Sequence, residues 1–129
     1  MKKITFLFLF CSFISFAQWN QLSSDIDGLV ANEQSGTSNK FNADGTVLIV
    51  GVPRALDNGI MKGKARVYEW NGTNWIQRGD DLIGTNQGDV FGETVSISSD
   101  GNTIAIGAPG FLNPSYLGPT GPTGYTRIF

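Results

Sequence analysis

Histidine is absent from the chain and cysteine occurs once, so the side chains left for polar chemistry are chiefly carboxylates. Without histidine there is no Ser-His-Asp or Cys-His catalysis. The common zinc sites, which take Cys or His, are excluded with it. No Gly-rich phosphate loop opens a helix. Asp25-Ile26-Asp27-Gly28 is a small oxygen cluster that could begin a calcium site, since calcium takes about six to eight oxygens. Asp80 and Asp81 are adjacent, and in an extended segment they point to opposite faces. A glycosidase needs two carboxyls facing each other ~5–9.5 Å apart. Asp89 and Glu93 are further candidates for such a partner, but no spacing selects them. These carboxylates read as solvated loop charges. The expectation for this segment is therefore no catalytic, cofactor-binding or metal-ligating residue, and no cofactor, with calcium the one ion its composition leaves open.

The amino-terminal residues decide where such a chain would work. Lys2 and Lys3 form a basic start, Ile4 to Phe10 an apolar run, and Phe13, Ile14 and Phe16 extend it. Ser15-Phe16-Ala17 sets small residues at the two positions a signal peptidase reads, so residues 1–17 are expected to be a cleavable export signal. The run is short for ~30 Å of hydrocarbon, which argues against a membrane anchor. Cys11 follows Phe10 rather than a small residue, so lipidation is not expected, and cleavage after Ala17 leaves no thiol and no disulfide. Loss of Lys2 and Lys3 leaves seven Lys/Arg against eleven Asp/Glu, a net charge of −4. A mildly acidic surface without a basic cluster argues against nucleic acid and anionic membranes as partners. The expected setting is secreted or outer cell surface, with an extracellular protein or glycan as partner and no transmembrane helix after cleavage.

Elements that could position anything here come from an internal repeat. Shifted by 56 residues, the sequence overlays itself with nine identities in the 35 positions from Trp19 to Pro53. Trp19 falls on Trp75, Gln21 on Gln77, Asp25 on Asp81 and Gly28 on Gly84. Gly36 falls on Gly92, Asp44-Gly45 on Asp100-Gly101, and Gly51 and Pro53 on Gly107 and Pro109. Arg66-Val67-Tyr68 then matches Arg127-Ile128-Phe129 at an offset of 61. The extra residues fall near Gly118-Pro119-Thr120-Gly121-Pro122-Thr123-Gly124, an expected surface loop too short for a collagen helix.

Within each unit the strand signals recur. Thr46–Val50 and Thr103–Ile106 are short apolar or β-branched runs after Asp-Gly, a pair that predicts type I′ hairpins back to strands near Thr37–Asn42 and Glu93–Ser98. Ala65–Trp70 predicts a third strand, and Asn74–Arg78, after the Asn71-Gly72 turn, a fourth. No window outside the signal has a helical period. The expected fold is all-β, built of four-stranded antiparallel units. Such units repeated at ~50 residues predict propeller blades, and the alternative is a two-sheet sandwich. Trp19, Trp75 and Tyr68 are expected to fill space between stacked sheets.

Phe91-Gly92-Glu93 and Ile106-Gly107-Ala108-Pro109 resemble the two corners of the FG-GAP repeat, found in the integrin α-subunit propeller and in many exported bacterial proteins. The Trp70-Asn71-Gly72 hairpin fits it too, while the first copy departs from it, with Ser35-Gly36 and Gly51-Val52-Pro53 at the corners. The calcium loop of integrin-type repeats resembles D-x-D-G-x-x-D. Here that place holds Asn42-Ala43-Asp44-Gly45 and Ser98-Ser99-Asp100-Gly101, with one Asp in each, so both are expected to be turn residues bonding their own backbone.

The resemblance implies residues 18–35 as a leading, ring-closing strand and connection, 36–79 as a first blade and 80–129 as a second, incomplete blade. It implies that the chain is the amino-terminal piece of a larger propeller, with Trp19–Leu22 as a fourth strand lacking a blade of its own. The function implied is non-catalytic binding or adhesion. The alternatives are the propeller portion of a secreted hydrolase whose catalytic residues lie elsewhere, or a structural surface spacer.

Overall fold

The computed structural model describes residues 18–110 and 123–129. The expected signal, residues 1–17, lies outside the described residues, as do residues 111–122 of the Gly-Pro loop.

Val47-Leu48-Ile49-Val50 is a continuous apolar run, the pattern of a strand covered on both faces. It forms the buried strand β2 (Val47–Val52). Strand β1 (Asn39–Phe41) pairs with it on one side and β5 (Lys64–Trp70) on the other, and β6 (Trp75–Gln77) pairs with β5. The result is an antiparallel meander in chain order, with β7 (Leu82–Ile83) added against the start of β5. Between β2 and β5 the chain makes a hairpin of β3 (Leu56–Asp57) and β4 (Ile60–Met61). A second sheet orders β8 (Thr94–Ile97), β9 (Ile104–Ala108) and β10 (Tyr125–Ile128) the same way. The chain is all-β, with antiparallel sheets and no helix among the described residues.

The repeat is present in the hydrogen bonds as well as in the letters. Gly36 N–H donates to Gly51 O, and Gly92 N–H to Gly107 O. Arg54 N–H donates to Glu33 O, and Gly110 N–H to Asp89 O. Asn42 N–H meets Val47 O as Ser98 N–H meets Thr103 O. The strand registers follow the same shift: Lys40 faces Ile49 where Ser96 faces Ala105. At the third strand they follow the offset of 61: Ile49 faces Val67 where Ala105 faces Ile128.

The two sheets stack by unlike faces. Alternation along a strand puts Val47, Ile49, Ala65 and Val67 on one face of the first sheet. These are buried with Phe91, Ile104, Ile106 and Ala108, and Leu82, Val95, Ile97 and Tyr125 pack against the cluster. Ile104 and Ile106 correspond to Leu48 and Val50, which point to the other face of the first sheet. The front of unit two therefore lies on the back of unit one. Close approach demands glycine at Gly51, where a Cβ would sit 1.9 Å from the carbonyl oxygen of Gly92. At Gly63, φ is +76° and a Cβ would meet Phe91 backbone atoms at 2.4 and 2.6 Å.

Several expectations are corrected. The Asp-Gly pairs are not type I′ turns, because only Gly45 and Gly101 have positive φ. Gly45 N–H bonds to Asn42 O and Gly101 N–H to Ser98 O, the pattern of a type I turn followed by a left-handed glycine. Trp75 and Tyr68 do not lie between the sheets. Register puts Tyr68, Trp70 and Trp75 on the face of the first sheet away from the second, where Trp75 packs on Phe41 and Trp70 at 5.6 and 5.3 Å. Smaller aliphatic side chains and Phe91 fill the interface instead. Trp19 is 97% exposed and residues 19–22 belong to no strand; an unpaired segment has no ladder to hold it extended.

Candidate functional site

Long connections emerge at one end of the stack, and the short Asp44-Gly45, Asn71-Gly72 and Asp100-Gly101 turns at the other. At the long-loop end two carboxylates are buried, Glu33 and Asp89, which occupy equivalent repeat positions. Asp89 Oδ2 accepts the N–H groups of Thr85 and Asn86 at 2.8 and 2.7 Å and the Tyr125 hydroxyl at 2.6 Å. Glu33 Oε1 accepts the Leu29 N–H at 2.7 Å and Arg66 Nη1 at 3.4 Å. Each carboxylate thus winds the preceding loop around itself, an arrangement that replaces backbone hydration with fixed bonds.

Arg66 is 1% exposed and carries the charge balance of this region. Its Nε donates to Asp81 Oδ1 at 3.0 Å, and Lys64 Nζ lies 2.9 Å from Asp81 Oδ2. Two cations and two carboxylates therefore meet, which is the condition for keeping a buried guanidinium charged. Burial favours the neutral form of Arg66, but Asp81 and Glu33 outweigh it and leave its pKa raised. Burial also pushes the Asp81 carboxyl up, but donation from Lys64 and Arg66 prevails and holds it below the ordinary carboxylate value. Burial raises the Tyr68 hydroxyl.

Asp81 and Asp89 are thus not the solvated loop charges the sequence suggested. Asp81 is ion-paired, and Asp89 is 1% exposed and wrapped by its own loop. Neither has a side chain free to face a substrate. Asp80 borders a 190 Å³ cleft at the turn end, lined also by Val67, Arg78, Leu82 and Phe129. Asp25 and Asp27 are exposed, and Asp25 accepts from Gln21 Nε2 at 2.7 Å. Asp44 accepts from Thr46 N–H and hydroxyl, and Asp100 from Asn102 N–H and the Ser98 hydroxyl; these bonds lower both pKa values. Among the described residues no group of three or more Cys, Asp or Glu side chains is arranged to hold a metal ion.

The surface of the loop end is apolar in places. Leu29 and Val30 are exposed on the connection closed by Glu33, and Leu56 and Ile60 on the β3–β4 hairpin. That hairpin is braced by Lys62 Nζ on Asp57 Oδ2 at 2.7 Å and by Lys62 and Gly63 N–H groups on Ala55 O. Sequence reading missed it, although Asn58-Gly59, with φ of 49° and 80°, is the pair that signals a tight hairpin. The caged carboxylates were missed too. Their only trace is an acidic residue at both 33 and 89, two residues before an aligned corner.

No family model matches this chain, and no curated protein matches it.

Proposed function

We propose that this chain is an exported, FG-GAP-like repeat module of blade type that binds an extracellular protein or glycan through its long-loop end. The observation that carries the reading is the front-on-back stacking of equivalent sheets. A repeat that packs by unlike faces leaves one face of each kind for further units, as blades in a ring do. A sandwich related by a two-fold would bury the same face of both units.

Binding rather than catalysis is supported by where the carboxylates go. Glu33, Asp81 and Asp89 are consumed in fixing loops and strands; the loop that Glu33 fixes displays Leu29 and Val30 to solvent, and the hairpin braced by Lys62 and Asp57 displays Leu56 and Ile60. Apolar side chains on rigid loops are the usual substance of a recognition surface.

The test is a glycan array and a pull-down from extracellular material, run with the wild type and with Leu56→Ser/Ile60→Ser. A ligand captured by the wild type and lost by the variant, with melting unchanged, is the expected result. Capture unaffected by the variant, or hydrolysis of the captured glycan, would overturn the assignment. Intact mass of secreted material beginning at Gln18 is the expected outcome for the export signal; retention of Met1 in the cytoplasm would contradict it.

A further inference from the structure

Arg54 leads from β2 into the β3–β4 hairpin, and its N–H donates to Glu33 O at 3.2 Å. Its side chain is exposed and makes no ion pair among the described residues. Two carboxylates adjoin it, Glu33 through that backbone bond and Asp57 along the chain, and both are engaged elsewhere. Glu33 accepts from Leu29 N–H and from Arg66. Asp57 accepts from Lys62 Nζ at 2.7 Å and from Asn58 Nδ2 at 3.2 Å. The fold does not need the Arg54 side chain. In the second unit Gly110 takes its place and donates the same backbone bond, to Asp89 O at 3.1 Å. Nor does it need Leu29 and Val30. Thr85 and Asn86 stand in their places, and that loop closes on Asp89 without them. Leu29 and Val30 are 73% and 59% exposed, and Leu56 and Ile60 57% and 42%, so none of the four serves the core. An arginine without an internal partner, among aliphatic side chains the core does not use, has the composition of an interface centre.

We propose that Arg54, flanked by Leu29, Val30, Leu56 and Ile60, docks an aliphatic, carboxylate-bearing segment of a partner protein. This rests on the long-loop binding reading above and narrows its partner from protein or glycan to protein. Both aliphatic pairs are tied to the Arg54 backbone, Leu29 and Val30 through the bond to Glu33 O and Leu56 and Ile60 through the hairpin it enters. A guanidinium takes a carboxylate by two parallel N–H bonds. Aliphatic burial around the pair supplies driving force and excludes water from it. The chain from residue 18 onward is net acidic, so a carboxylate is repelled over most of the surface and accepted at Arg54, which fixes where it docks. A sugar fits this end poorly. Neutral sugars bury their rings against aromatic faces, and here Phe91 is buried while Tyr125 is taken by Asp89 and Arg127. Phe41, Trp70 and Trp75 cluster beside the short turns at the opposite end instead. An acidic sugar offers the carboxylate without the aliphatic surface.

Selection of a displayed library of short random peptides against the full chain tests it, with recovered sequences synthesised and measured by fluorescence anisotropy. Recovered peptides should carry Asp or Glu among Leu, Ile or Val. Arg54→Gln should weaken a recovered peptide about tenfold with the melt unchanged. Replacing the peptide's carboxylate by its amide should cost wild type the same factor and Arg54→Gln nothing further, the signature of a direct pair. Arg54→Glu should turn selection toward peptides with Lys or Arg. Peptides without acidic enrichment, or two losses that simply add, would overturn the pairing. So would Arg54-dependent binding of heparin or polygalacturonate with no peptide recovered, which would make the partner an acidic glycan. Binding indifferent to Arg54→Gln but abolished by Leu56→Ser/Ile60→Ser would defeat the pairing and leave the long-loop end as the binding site. Binding that survives both variants would defeat the long-loop reading itself.

Discussion

Glu33 and Asp89, 56 residues apart, do the same work in consecutive units: each accepts the backbone N–H four residues upstream, Leu29 at 2.7 Å and Thr85 at 2.8 Å. The carbonyl of each also accepts from a residue beyond the second strand, Arg54 or Gly110. A third-strand side chain completes the cage, Arg66 in one unit and Tyr125 in the other.

Asp89→Ala should therefore cost about 1–3 kcal/mol, since Thr85 and Asn86 N–H groups lose their acceptor in a buried loop. Tyr125→Phe removes one bond to the same oxygen and should cost about 0.5–1.5 kcal/mol. Urea unfolding of the two variants measures both; equal stabilities for wild type and Asp89→Ala would show that the loop stands without its cage.

Gly51→Ala should destabilise more than its single methyl suggests. The Cβ would fall 1.9 Å from Gly92 O and 2.3 Å from Ser38 Oγ, and backbone cannot retreat as a side-chain tip can. Separating the sheets there should cost about 1–3 kcal/mol by overpacking. Gly45→Ala meets no atom within 4 Å, so it serves as the control for positive φ alone. A loss for Gly51→Ala no larger than for Gly45→Ala would mean the sheets do not meet at Gly92.

The Asp81 ion pairs set a direction for pH dependence. Burial raises its pKa, but Lys64 and Arg66 bring the folded value below the ordinary 3.8. A depressed carboxylate contributes stability that is fully present above its unfolded pKa and lost as pH falls through the folded one. Wild type should exceed Asp81→Asn in stability above pH 3.8, and the gap should close on further acidification. A gap independent of pH would show that the carboxylate's charge is not what stabilises this site.

Calcium should leave the fold unchanged. Asp44 and Asp100 are already bonded to their own turns, at Thr46 and at Ser98 and Asn102. Thermal melts with calcium and with chelator should coincide. A large calcium-dependent rise in Tm would contradict this and would direct attention to Asp25, Asp27, Asp44 and Asp100.

The meander was legible in the sequence because its strands are short apolar runs between glycine turns. The seven strands read from Thr37–Asn42 through Arg127–Phe129 all appear, with ends shifted by at most two residues. The offset was legible because turn glycines are set by backbone conformation: Gly36, Gly45, Gly92 and Gly101 all have positive φ. Burial of charge was not legible. Nothing local distinguishes Asp89, wrapped by its own loop, from exposed Glu93 four residues on; the difference arises when Tyr125 arrives from a distant strand. Arg66 likewise looks like a surface residue until Glu33 and Asp81 close on it from two separate connections. Nor could composition say which face of a strand would be covered, so the aromatic Trp75 and Tyr68 were assigned, with Trp19, to an interface that smaller residues occupy.

The stacking itself is most directly tested by methyl–methyl nuclear Overhauser contacts in the labelled chain. Front-on-back packing predicts contacts from Val47 and Val67 to Ile104 and Ile106, across the buried cluster they share. It predicts none from Leu48 or Val50 to Ile104 or Ile106, because those four occupy equivalent positions on like faces. Contacts from Leu48 or Val50 to Ile104 and Ile106, without those from Val47 and Val67, would mean a sandwich of like faces and would contradict the stacked-repeat account.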